Sequence, residues 1–195
     1  TDMHQNVIDR WHHCEVDNPY EGFLGVACQQ CSFNFLLWHE EDIARSPDVG
    51  DQEIARVNRS IDRLNQQRND WIEKIDDWIT DALEKTKVQV ADNARLNTET
   101  PGSAVDRLAI MALRIYHMEE QLARKDVDRT HIQSVQQKIM VCRIQHADLS
   151  RSLSELIDDL ANGRKRHRTY HQFKMYNDPS LNPQLYRQAS SSKES

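Results

Sequence analysis

An all-α fold is expected from three observations. Residues 51–85 carry apolar side chains at helical spacing along their whole length. The 195 residues include only 5 Gly and 5 Pro, and alternating apolar runs of the kind that build half-buried strands are few. The length suits one domain with a full-sized core. The expected architecture is an antiparallel bundle of four long helices, with a short N-terminal helix and an irregular C-terminal tail. Residues 1–186 form the expected single domain and 187–195 a disordered tail. No strand is expected between 51 and 163, and no internal repeat is present.

Residues 2–14 can form a short amphipathic helix with Val7, Ile8 and Trp11 inward, followed by turn residues in DNPYEG at 17–22. A second helix, Gly22 to Arg45, has a face that begins apolar (Leu24, Ala27, Cys31) and ends polar (Trp38, Glu41, Asp42, Arg45). Phe33, Leu36, Leu37 and Ile43 occupy its other sides, so it should be enclosed from more than one direction. Pro47 ends it, and SPDVGD turns into the third helix, Asp51 to Lys85.

On the third helix Ile54, Val57, Ile61, Leu64, Ile72, Ile75 and Ile79 make one stripe, with Arg68 in its middle. Asp62, Asn65, Asn69 and Asp76 flank it, so Asp62 and Asp76 are the carboxylates expected nearer the core. A guanidinium in an apolar seam needs anionic or carbonyl partners, because an unpaired buried charge costs several kcal/mol or more. Glu41, Asp42 and Asp106 are the partners expected for Arg68.

Thr100 before Pro101, or Ser103, offers a start for a fourth helix running to about Arg124. It is apolar on two faces, which puts Asp106 and His117 at an interior seam. The last helix is expected to open at Thr130, with Gln133 completing a capping box, and to stop at Gly163. Its stripe includes one polar member, His146, expected as a core histidine bonded to a carbonyl.

The net charge is −6, but residues 164–195 carry 7 Lys+Arg against 2 Asp+Glu, leaving 18 against 29 for residues 1–163. An acidic body is a poor nucleic-acid partner, and the basic run after Gly163 is explained by its place at a helix C-terminus. No run approaches the ~18 apolar residues of a membrane span, and no secretory signal precedes the first helix, so a cytoplasmic protein without a membrane partner is expected. Cys28 and Cys31 form a CxxC, and Cys14 follows His12 and His13. That set could hold zinc, but the CxxC lies inside a helix with no second pair, so free thiols are expected.

Four strings, LWHEEDIARSPD at 37–48, IDRLNQQRNDWIEKID at 61–76, NTETPGSAVDRLAIMALRIYHMEE at 97–120 and FKMYNDPSLNP at 173–183, resemble the bacterial family known as domain of unknown function 4254. The resemblance runs from about Asn18 to Tyr186. Ala109 and Arg114 stand where the family pattern has serine and lysine, and the CxxC lies outside the pattern. The resemblance implies no established activity, only a loose link to surface-polysaccharide genes.

The matching strings also put polar residues on interior faces: Trp38, Glu41, Asp42, Arg45, Asp62, Asn65, Arg68, Asn69, Asp106 and Arg107. Two readings follow. The cluster lines a pocket for an anionic metabolite, phosphorylated or a sugar, in which arginines fork onto phosphate and carboxylates optionally hold Mg²⁺ or Mn²⁺. Alternatively it is a closed ion network that fixes helix register in a structural or partner-binding bundle. No Glu-x-x-His pair, glycine-rich phosphate loop, nucleophile elbow or HExxH is present, so no dedicated metal motif or catalytic residue is assigned.

Overall fold

A computed structural model describes residues 2–172 and 180–183 of the chain. Five helices follow in order: α1 (Asp2–Trp11), α2 (Gly22–Ala44), α3 (Asp51–Lys85), α4 (Pro101–Leu122) and α5 (Arg129–Ala161). The 35 residues of α3 are one uninterrupted helix with the ends expected from the sequence. The short links 45–50 and 123–128 make α2 and α3, and α4 and α5, antiparallel neighbours that pack along one another. α1 lies against α4 and α2, while α3 also touches α4. The expected tail 187–195, and most of the 173–183 string, lie outside the described residues.

The caps show which local chemistry prevails. Thr100 accepts the N–H of Ser103 and Pro101 occupies the first turn, so α4 starts where the sequence offers a cap. At α5 the cap is Asp128, not Thr130. Its carboxylate accepts the N–H of His131 at 2.7 Å, and a charged acceptor facing the positive end of the helix dipole fixes the start two residues earlier. α5 ends in a Schellman motif. Gly163, at φ +68°, donates to Leu160 O, and Arg164 N donates to Asp159 O at 2.8 Å.

That reversal sends the chain beside the α3–α4 connection, where β2 (Lys165–Arg166) pairs in parallel with β1 (Arg95–Leu96). The two-residue pair corrects the expectation of no strand in 51–163. It forms because the turn at Gly163, not side-chain alternation, brings two extended segments together. Arg164 and Lys165 are also bound to the chain itself, to Asp158 and Asp159 and to Asn97, and Arg166 donates to Asp92 O.

The core has three parts. Val7, Ile8, Trp11, Cys31, Phe35 and Leu113 pack α1 onto α2 and α4. Ala27, Ile75, Ile79, Val105, Leu156 and Leu160 join α2, α3, α4 and α5, and Phe33, Leu37 and Leu64 seal α2 against α3. Cys28 and Cys31 are free thiols inside the first of these. Burial pushes Cys28 up to about 11 and Cys31 further in the same direction, so both stay protonated and make poor zinc ligands. His146 is buried, but its Nε2 has no hydrogen-bond partner among the described residues, which corrects the expected carbonyl bond.

The close approach of α4 to α3 depends on Gly102. A Cβ there would stand 2.5 Å from Ile72 O and 2.9 Å from an Asp76 carboxylate oxygen. Asp76 uses this proximity: buried as the sequence suggests, it accepts the Gly102 N–H at 2.7 Å and so caps α4 from a neighbouring helix.

Candidate functional site

The interior polar cluster divides into a closed part and an open part. The closed part centres on Asp106 of α4, whose side chain is 5% exposed. Its Oδ1 accepts from Gln30 Nε2 at 2.6 Å, Asn34 Nδ2 at 2.9 Å and Arg68 Nε at 2.7 Å. Its Oδ2 accepts from Arg68 Nη2 at 2.6 Å. Gln30 and Asn34 are four residues apart on α2, so they present amides on one face, and Arg68 completes the set from α3. A buried carboxylate is thereby satisfied by donors from two helices and by a bidentate guanidinium, the strongest form of such a pair. The hydrogen bonds to Asp106 hold the Arg68 pKa above its ordinary value. The pairing expected from the sequence is present, with Asp106 as the partner. Arg68 itself is only part-buried, 25% exposed at its side chain.

That exposed edge of Arg68 opens into a cleft of about 260 Å³ bounded by Asn34, Leu37, Trp38, Glu41, Arg45 and Ile110. Trp38 brings an aromatic side chain to the lining, and Arg45 and Glu41 form an ion pair one helical turn apart. Asp42 stands 3.7 Å from the Arg45 guanidinium at the exposed end of α2. Surface pairs of this kind contribute little to stability, so Arg45 can exchange Glu41 for another anion at small cost.

The remaining expected residues fall elsewhere. Asp62 is exposed on α3, a correction to its expected place near the core, because the buried face of that stretch carries Val57, Ser60 and Leu64, on the opposite side of the helix. Asn65 and Asn69 are half-buried outside the cleft lining, and Arg107 is exposed and paired with Glu99 at 2.8 Å. Among the described residues no three of these carboxylates converge within 4.8 Å as a cation site would require.

One group does converge, and sequence reasoning missed it: His12, His39 and His117 each place a ring nitrogen within 4.8 Å of the others. They come from the turn after α1, from α2 and from α4. The turn is held by Trp11 Nε1, which donates to Asp17 O at 3.1 Å, and by an Arg10–Asp17 pair. The three rings are steeply inclined to one another, at 73–80°, with centroids 5.0–5.5 Å apart. Trp38 stacks on His117 and Tyr116 on His12. Burial lowers the pKa of His12 and of His39, so both rings are neutral at pH 7. The placement of His117 on an interior seam and the His12-His13 pair were the available signals. Neither says that the end of α1 meets α4.

A further cleft, about 610 Å³, is lined by Phe23, Trp78, Leu83, Val105, Leu153 and Ile157 among others and is almost wholly apolar. No described helix is long and apolar enough to cross a membrane.

No curated protein and no solved structure matches the chain. The profile of a family described as a protein of unknown function (DUF4254) matches residues 25–169, from α2 to just beyond β2, which includes Arg68, Asp106 and the whole cleft. With most of its length matched, this chain belongs to the DUF4254 family.

Proposed function

We propose that the protein binds a small anionic metabolite in the cleft beside Trp38, Arg45 and Arg68. The observation that carries this reading is the two-sided use of Arg68. Asp106 fixes its guanidinium from behind, while its outer edge lines a cleft that also holds an exposed arginine and an aromatic wall. A guanidinium locked by a buried carboxylate loses little freedom on meeting a ligand, so its contribution to binding is preorganised. The cleft is slightly below the ~300 Å³ at which usual ligand pockets begin, which favours a compact occupant such as a sugar phosphate. Arg45 and Arg68 would fork onto the anionic group, and the sugar face would lie on Trp38.

The saturation of Asp106 favours a second reading. All its hydrogen bonds go to the protein, as in a network that only fixes how α2, α3 and α4 meet. Thermal-shift and calorimetric titration with sugar phosphates, nucleotide sugars and inorganic phosphate, with and without Mg²⁺ or Mn²⁺, separates the two. A bound ligand at a hundred times its dissociation constant stabilises by about 2.7 kcal/mol, and Arg45→Gln should remove most of that shift without unfolding the chain. If none of these compounds moves the transition, the network reading holds.

A further inference from the structure

We propose that His12, His39 and His117 form a binding site for a divalent transition metal of the zinc class, with three imidazole ligands and an open fourth position. Hydrogen bonds place the ring protons of two of the three histidines. His12 Nδ1 lies 2.7 Å from the carbonyl oxygen of Ile8, and His117 Nδ1 lies 2.7 Å from a carboxylate oxygen of Glu120. Both partners can only accept, so each Nδ1 carries the hydrogen, and in the neutral ring each Nε2 is left with a bare lone pair. Both Nε2 atoms are buried and have no hydrogen-bond partner among the described residues. Buried acceptors are seldom left unmet, and here two of them sit in one histidine cluster.

His12 and His117 show the pattern of metal-bound histidines. One ring nitrogen is tied to a carbonyl or carboxylate, which fixes the tautomer and the ring plane, and the other faces the ion. The mutual inclination of 73–80° suits three donors converging on a point; mere packing would equally accept stacked rings. Zn–N bonds of 2.0–2.1 Å in a tetrahedron put the nitrogens about 3.4 Å apart, so the 4.8 Å limit on their separation asks for inward movement of at most about 1.4 Å. His39 packs on no ring beyond Phe35 and the cluster itself, so its side-chain rotation can close its own distances to His12 and His117. The donor set is all imidazole, which suits Zn²⁺, Cu²⁺, Ni²⁺ and Fe²⁺ over Mg²⁺ or Ca²⁺. Three protein ligands leave a position for water or a ligand, as in catalytic and not structural zinc sites. The site goes beyond the metabolite cleft and does not depend on it, although Trp38 borders both.

The test uses the full chain without a polyhistidine tag, stripped with chelator and titrated with Zn²⁺ by calorimetry and with Co²⁺ by visible spectroscopy. One equivalent of Zn²⁺ should bind, and Co²⁺ should give the intense d–d bands of a four-coordinate site. Glu120→Gln should weaken binding by about 10–100-fold, and His39→Phe or His117→Phe by more. His13→Ala, at an exposed neighbour, and Cys14→Ser should leave it unchanged; circular dichroism confirms that each variant is folded. Absence of Zn²⁺ binding by the folded wild-type chain would overturn the proposal. So would Co²⁺ bands that survive His39→Phe, or that vanish with Cys14→Ser.

Discussion

Trp38 lies flat against His117, with ring centroids 4.9 Å apart and 9° between their planes, and the same indole lines the cleft that Arg68 enters. One side chain therefore borders both candidate sites. Trp38→Ala should weaken metabolite binding in the cleft and loosen His117, lowering metal affinity as well. Trp38→Phe should restore the second more fully than the first, because a smaller ring still packs on imidazole but covers less of a sugar. Parallel titrations of the two variants check this, and equal effects on both ligands would show that the indole does not divide the sites.

Arg68→Met removes two donors from a carboxylate that is almost fully buried. A loss of about 3 kcal/mol is expected, because the penalty lies in the stranded charge. Arg68→Met combined with Asp106→Leu should recover much of it, since replacing a buried pair with apolar groups is often neutral. Urea unfolding of the wild type and these two variants measures both quantities.

Gly102→Ala should cost about 1–3 kcal/mol, the usual range for overpacking, because the atom that the new methyl meets at 2.5 Å is the Ile72 backbone carbonyl of α3 and cannot rotate away. Asp76→Ala should cost about 1–2 kcal/mol through the unpaired Gly102 N–H. These changes share one contact, so the double variant should lose less than the sum, a result that denaturant midpoints resolve.

Acid should unfold this protein early. Burial lowers His4 from its ordinary value to about 3, and neither ring nitrogen has a hydrogen-bond partner among the described residues. The sign is set by the unfolded chain. Below about pH 6.5 its histidine binds a proton that the folded one refuses, so stability falls with pH until the folded value is reached. For His4 this amounts to on the order of 4 kcal/mol between pH 7 and pH 3. His12, His39 and His146 are lowered by burial and act in the same direction, while Asp76, raised by burial, opposes them at the acid end. His4→Leu, which adds no polar atom, should flatten the dependence of the urea midpoint on pH between 6.5 and 4.

Much of this molecule is set by patterns within single helices. The ends of α3 and the stop at Gly163 follow from periodicity and backbone chemistry that act over a few residues, so the sequence alone determines them. For α4 it offered Thr100 or Ser103 as a start, and the enclosure expected of α2 holds at Phe33 and Leu37 but not at Leu36 and Ile43, which are exposed. The need of Arg68 for a buried carboxylate was legible for the same reason: a charge in an apolar stripe is a local fact, and its consequence is electrostatic. Only the tertiary structure decided the rest. Asp106 prevailed over Glu41 and Asp42 because Gln30 and Asn34 add two donors from the helix it faces. Asp62 reached solvent because the neighbours of α3 at that level cover the opposite face, at Val57, Ser60 and Leu64. The short strand pair exists because a left-handed glycine redirects the chain after α5. The three histidines, at positions 12, 39 and 117, converge through the packing of α1 on α2 and α4. No spacing along the chain encodes that meeting, since it depends on how apolar faces from distant segments bury one another.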